Sequence, residues 1–213
     1  MANKLGKKEA PTRKVYKNPK VQDLMRMEIF RAAARAAEKK NFDVISMDDV
    51  ARELGGSKGT IYYYFKSKDA LIGAMVIHVY STIETALMPI FLDKSLSASE
   101  KLAKVSKQEI ILLLNDWSMQ RALWTNTWWA ALNKKDFQRV MKMRKIHRKT
   151  MADLISEITR GKNEKPQMLK HKARLVMGLI ESIVGWYRPD GSYTPEELAD
   201  SAVEMIFHGL QNS

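Results

Sequence analysis

The sequence predicts an all-α chain: an N-terminal helix-turn-helix bundle of three helices followed by a larger helical domain, about nine helices in all. Three observations carry that expectation. From residue 69 onward apolar residues recur every three or four positions, and no alternating strand pattern competes with them. Residues 46–69 hold two short helical segments parted by Gly55 and Gly56, each preceded by a serine able to cap it. The breaks between the longer segments have chain-stopping chemistry: Pro89, the serine-rich stretch 95–99, residues 161–166, and the Arg-Pro-Asp-Gly turn at 188–191.

The first element is a basic arm, residues 1–20. Seven Lys or Arg stand there against one Glu, a net +6 out of +12 for the whole chain, whereas residues 21–80 hold nine against eight. With Pro11 and Pro19 and little apolar content the arm does not fold alone. It either follows DNA phosphates or a minor groove, or acts as a solubilising tail.

Ser46 is placed to cap the first short helix, with Asp49 in capping-box position and Val50, Ala51 and Leu54 as the apolar face. Ser57 caps the second. Ile61 and Phe65, four apart, turn inward and leave Lys58, Thr60, Tyr63 and Tyr64 outward. This outward set suits DNA: hydroxyls bond phosphates, Lys supplies charge, a tyrosine edge packs on a thymine methyl, and Gly59 lets the backbone come close. Ser67 caps a third helix, where Lys68 and the helix dipole can together hold a phosphate. Two short helices joined by a glycine turn are the layout of a helix-turn-helix reader of DNA.

At these residues the chain resembles the TetR family of one-component transcriptional regulators. The likeness covers residues 25–75, and Gly-Thr-Ile-Tyr-Tyr-Tyr-Phe-Lys-Ser-Lys at 59–68 is nearly the whole family signature. It extends to a preceding helix, 27–39, with Ile29, Ala32, Ala33 and Ala36 as its inward stripe. The resemblance implies a dimer on a two-fold symmetric operator, with Lys58, Gly59, Thr60, Tyr62, Tyr63 and Tyr64 at the groove and Lys68 on a phosphate. The cap residues Ser46 and Ser57 complete the candidate DNA-binding set. Gly56 departs from the family, which usually has Val or a similar residue there. The implied organisation is a DNA-binding domain at 21–67 and a ligand-binding and dimerisation domain at 68–213.

Helical periodicity places the later segments at 69–92, 99–114, 116–134, 136–160, 166–187 and 195–211, the last opened by Thr194, Pro195 and Glu197. The final two are candidates for self-association as a four-helix interface, through Gly178 and Gly185 on one and Ala202, Met205 and Ile206 on the other. An intrachain core is the alternative.

Trp117, Trp124 and Trp128 stand at spacings of seven and four, on one face of the expected 116–134 helix, with Arg121 among them. Such a row either lines a pocket or packs a core, and an arginine in it can stack on a flat ligand or clamp an anion. His147 lies on the apolar stripe of Val140, Met143, Met151, Leu154 and Ile158, next to the basic set Arg139, Lys142, Arg144, Lys145, Arg148 and Lys149. Residues 185–191, Gly-Trp-Tyr-Arg-Pro-Asp-Gly, followed by Thr-Pro-Glu-Glu at 194–197, resemble the C-terminal signature of TetR-type repressors of fatty-acid and sterol breakdown that sense acyl-CoA thioesters. That resemblance implies a greasy tunnel for an acyl chain and basic partners for CoA phosphates. The candidate ligand set is Trp117, Arg121, Trp124, Trp128, Met143, Arg144, His147, Arg148 and Trp186. An uncharged aromatic or drug-like effector is the alternative, and an architectural DNA-binding protein a more distant one.

The absence of cysteine fits a reducing cytoplasm, and no apolar stretch reaches the ~20 residues needed to span a bilayer. The four histidines have no metal-ligand spacing, and neither a phosphate loop nor a nucleophile motif is present. No catalytic residue, metal or cofactor is therefore expected.

Overall fold

The computed structural model describes residues 18–125, 127–159 and 165–211, and among these every regular element is helical. Helix α1 (Pro19–Lys40) opens with Asn18, whose side chain accepts from the Lys20 amide at 3.0 Å, and with Pro19 in the first turn. It therefore starts well before residue 27 and takes Pro19 and Lys20 out of the expected arm. The arm's other basic residues, Lys4 to Lys17, lie outside the described residues. At its far end Asn41 takes φ 64° and returns its amide to the Ala37 carbonyl at 2.8 Å.

The buried face of α1 is mostly alanine, at positions 32, 33, 34, 36 and 37. Side chains that small let α2 (Met47–Leu54) and the later α6 (Trp117–Thr125) lie close against it, while Ile29, Phe30, Val50, Ile61 and Phe65 fill the space towards α3 (Lys58–Tyr64). Between α2 and α3, Gly55 adopts φ 68°, and the amides of Gly55 and Gly56 close on Arg52 and Ala51. Gly56 is not left-handed. A Cβ there meets only the Leu54 side chain, Cδ2 at 3.3 Å and Cγ at 3.6 Å, so the family's usual larger residue asks a small shift of Leu54.

Helix α4 (Lys68–Leu92) belongs to both halves: Leu71, Ile72, Met75 and Val76 complete the first core, and Leu87 enters the second. Pro89 does not break it. Pro89 and Thr85, whose carbonyl loses its partner, both lie on the exposed side close to the helix end, where water replaces the bond. The expectation about apolar length also needs correction, since α4 is long and apolar enough to cross a membrane by length and composition. Its apolar residues are instead shared between two protein cores, and its outer side carries Thr82 and Thr85.

The second core surrounds α5 (Ala98–Asn115), opened by a capping box of Ser97 and Glu100. Helix α6 (Trp117–Thr125) is short, and a 3₁₀ turn, Trp129–Ala131, follows it. The expected single helix over 116–134 is thus wrong. Thr125, Asn126 and Thr127 are poor helix formers, and Thr125 Oγ1 turns back to the Arg121 carbonyl at 2.9 Å. The turn packs on α4 at Gly73, where a Cβ would come within 3.3 Å of the Ala131 carbonyl oxygen. Helices α7 (Lys134–Ile158), α8 (Pro166–Trp186) and α9 (Pro195–Gln211) complete the domain. α5 touches α4, α7, α8 and α9. Along α9, Ala199, Ala202, Ile206 and Leu210 are buried in this same core, so Ala202 and Ile206 are intrachain residues and not the free face expected for self-association.

Candidate DNA-reading face and ligand cavity

α3 presents the reading face because its two ends are fixed. Ser57 Oγ accepts from the Thr60 amide at 3.2 Å and lies 3.0 Å from Thr60 Oγ1, while Ile61 is wholly buried. Tyr62 and Tyr63 project into solvent, 45% and 61% exposed. Tyr64 does not face outward as expected: it packs against the head core and meets Tyr63 edge-on at 5.1 Å. Lys58 reaches across the turn to Asp48 at 2.9 Å, a contact that raises its pKa, and lies over the Tyr62 ring at 5.9 Å. A phosphate drawn to Lys58 competes with that exposed pair, which is weakly held.

Two other expected DNA contacts are spent inside the head. The Ser46 hydroxyl accepts from the Asp49 amide at 3.2 Å, and the Asp49 carboxylate answers the Ser46 amide at 3.0 Å. Lys40 and Ser46 hold that carboxyl well below the usual range. Lys68 Nζ donates to the carbonyl oxygens of Phe42 and Asp43 at 2.9 and 2.8 Å, tying the α1–α2 loop to α4. The sequence placed Lys68 correctly at a helix start; the nearest acceptors there are the protein's own.

The ligand half contains a cavity of about 430 Å³ walled by α4 to α8 and the 3₁₀ turn, within the range typical of small-molecule sites. Trp124, Trp128, Met143, Arg144 and His147 line it. The other four nominated residues do not. Trp117 lies in the seam between α6 and α8, its Nε1 donating to the Val184 carbonyl at 3.1 Å. Arg121 stacks on Trp117 at 5.4 Å and donates to the Gly185 carbonyl at 2.7 Å, so it joins two helices. Arg148 is on the exposed side of α7, and Trp186 is 56% exposed outside the cavity. The shared tryptophan face fails because the helix ends at Thr125; Trp128 reaches the cavity from the 3₁₀ turn, beside Tyr80 at 5.7 Å.

Sequence reasoning missed the cavity's other ionisable residues. Glu109 is 5% exposed and stands 3.3 Å from His147 Nε2. Burial opposes the charged imidazole, yet Glu109 keeps the His147 pKa above its ordinary value. Burial raises the Glu181 carboxyl despite the pull of Arg144, and Arg144 donates to the Tyr80 hydroxyl at 2.6 Å. A signal for Glu109 was present: it lies on the buried stripe Leu102, Val105, Ser106, Glu109, Ile110 and Leu113 of α5.

Of the nominated self-association residues, Gly178 and Met205 are exposed, whereas Gly185 faces Trp124 of its own chain, and a Cβ at that glycine would lie 3.4 Å from the indole Nε1.

The bacterial tetR-family regulatory protein model matches residues 29–75, and the Tetracyclin repressor-like C-terminal domain model matches residues 95–210. The chain belongs to the TetR family. As a TetR regulator it is a DNA-binding transcriptional regulator with a helical ligand-binding domain. It is 25% identical over 189 residues to the fatty acid metabolism regulator protein of Bacillus subtilis, covering 87% of this chain and 95% of that one. The TetR fold superposes on the regulator PfmR from Thermus thermophilus with a TM-score of 0.71 at 18% identity, over 84% of this chain and 97% of that one. It also superposes on AibR in complex with isovaleryl coenzyme A and operator DNA, with a TM-score of 0.68 at 21% identity, over 85% and 97% of the two chains.

Proposed function

We propose that this TetR regulator is a repressor that binds a palindromic operator as a dimer and releases it when an acyl-CoA thioester fills the cavity. The observation that carries this reading is the position of the cavity relative to the basic face of α7. Ile146 lines the cavity and is 40% exposed, and Lys142 and Lys149 lie one turn to either side of it. An acyl chain inside and phosphates outside would each meet suitable chemistry. The relative named for fatty acid metabolism and the neighbour holding isovaleryl coenzyme A support the same ligand class.

For the dimer, the exposed side of α8 is the better surface. Met168, Leu175, Gly178 and Trp186 share it, with Leu175 73% exposed, and a second copy would cover that apolar strip. The route to the head is physical. α6 brings Trp124 to the cavity, and at its start Asp116 accepts from Arg31 Nε and Nη2 of α1 at 3.3 and 3.2 Å. A ligand that moves α6 therefore moves α1, and with it the reading face.

Fluorescence anisotropy on DNA from the protein's own upstream region, titrated with acyl-CoA thioesters, the matching free acids and free CoA, tests this directly. Release by a thioester alone supports the reading; tight binding against the whole panel removes it. The tryptophan cluster of Trp124, Trp128 and Trp129 at the cavity keeps an uncharged aromatic effector as the second reading.

A further inference from the structure

One basic side chain of the cavity has more donors than partners. Arg144 lines the wall from α7 and is fixed by Tyr80 of α4: its Nη1 donates to the Tyr80 hydroxyl at 2.6 Å, and its guanidinium carbon stands 5.8 Å from the centre of the Tyr80 ring. Tyr80 is held in turn by Trp128, 5.7 Å away. Among the described residues no carboxylate comes within ion-pair distance of Arg144, and its Nε and Nη2 have no acceptor. Neither of these nitrogens is sealed off, unlike Glu109 Oε2 and His147 Nε2, which are inaccessible and already face each other at 3.3 Å. A guanidinium held in place with one edge unused is a planar pair of donors, and a ligand that displaces water from that edge must bring an oxygen to replace it.

We propose that the free edge of Arg144 reads a neutral carbonyl oxygen of the effector, the thioester carbonyl in the reading above. The charge of the lining decides between a carbonyl and a carboxylate. Three carboxyl groups, Glu84, Glu109 and Glu181, stand there against Arg144 and His147. A ligand carboxylate adds negative charge to a desolvated wall that already has more acids than bases, whereas a carbonyl takes the same two donors and adds none. A methylene at that point leaves Nε and Nη2 with nothing to bond. This deepens the cavity reading and rests on it for where the effector binds, but not on the CoA phosphates.

The test changes one oxygen. S-acyl and S-alkyl compounds of equal chain length, the second lacking only the carbonyl oxygen, are prepared on CoA and on N-acetylcysteamine, which has no phosphates, and the free acids of the same chains complete the series. Binding is read from the fluorescence of the tryptophans at the cavity. In the wild-type protein the S-acyl compound binds at least about tenfold more tightly than the S-alkyl one and than the free acid. In Arg144→Met the ratio of S-acyl to S-alkyl falls below about two, and Arg144→Lys, which keeps the charge and loses the fork, retains part of it. Circular dichroism and operator binding check that each variant folds, and the wild-type comparison needs no variant. Equal binding of S-acyl and S-alkyl compounds by the wild-type protein, tightest binding of the free acid, or no binding of the series overturns the proposal. If the S-acyl preference appears on N-acetylcysteamine while no CoA thioester releases the operator, the Arg144 site stands and the CoA reading fails. If S-acyl and S-alkyl CoA release the operator alike, the CoA reading stands and the Arg144 site fails.

Discussion

In the reading head, α1 carries five buried alanines and packs closely on α2, and the ionisable groups stay at the rim, where Asp49, Lys40 and Arg52 pair in partial exposure. In the ligand half, α5 carries Glu109 into the interior and α7 and α8 bring His147 and Glu181 to the same cavity. The head is closed and specified by small side chains and caps. The ligand half holds open space and buried charge, arrangements that cost stability and are kept where something is to be bound. The two halves share α4.

Truncating one apolar side chain in each half should separate the two most widely. Leu71→Ala, at a wholly buried position, should cost about 2–5 kcal/mol in urea unfolding, whereas Trp124→Ala, half exposed on the cavity, should cost about 1 kcal/mol or less. Equal losses would mean that the cavity is an ordinary core. Lys68→Ala comes next, with about 1–3 kcal/mol of stability lost through its two carbonyl contacts. Its operator binding should keep the wild-type salt slope; a slope reduced by about one would return Lys68 to the phosphate contacts.

Tyr63→Ala should leave the unfolding midpoint unchanged and weaken operator binding by about 1–3 kcal/mol, more than it weakens binding to random DNA. Equal weakening on both DNAs would assign Tyr63 to the backbone. Ser46→Ala removes the α2 cap and should cost about 1 kcal/mol.

How much of this was legible in the sequence follows the same division. The head is governed by signals within a few residues of one another: Ser46 with Asp49, Gly55 at the turn, Ser57 with Thr60. Local chemistry of that kind can be read directly. Its errors, Lys68 and Tyr64, arose where a side chain finds its partner across the fold. The cavity gathers residues from five helices, and periodicity tests only one helix at a time. The assumption that α6 ran on to residue 134 put Trp117, Trp124 and Trp128 together, whereas Thr125 and its neighbours part them. Arg121 looked like a ligand clamp because nothing local showed the Gly185 carbonyl 64 residues away.

The smallest predicted effect, a difference in response to pH, is also the most discriminating. His147 and Glu181 both have raised values in the folded state. Their contribution is complete below the ordinary values of 6.5 and 4.5 and is lost as pH rises through the raised ones. The Asp49 carboxyl is shifted the other way, so its contribution is present above 3.8 and disappears in acid. Urea unfolding should therefore show the ligand half weakening as pH rises above 4.5 and again above 6.5, with the second slope flattened in His147→Gln, while the head weakens only below the carboxylate range. A flat profile in the wild-type protein would place His147 outside any buried ion pair.

Filling the cavity should move the reading heads. The chain has no cysteine, so a spin label at exposed Lys66→Cys, next to α3, reports only the head-to-head distance. Pulsed dipolar electron resonance on the dimer, first with operator DNA and then with the thioester that releases it, should show one narrow distance that shifts by several ångström. An unchanged distribution in a protein that has let go of its DNA would contradict the account.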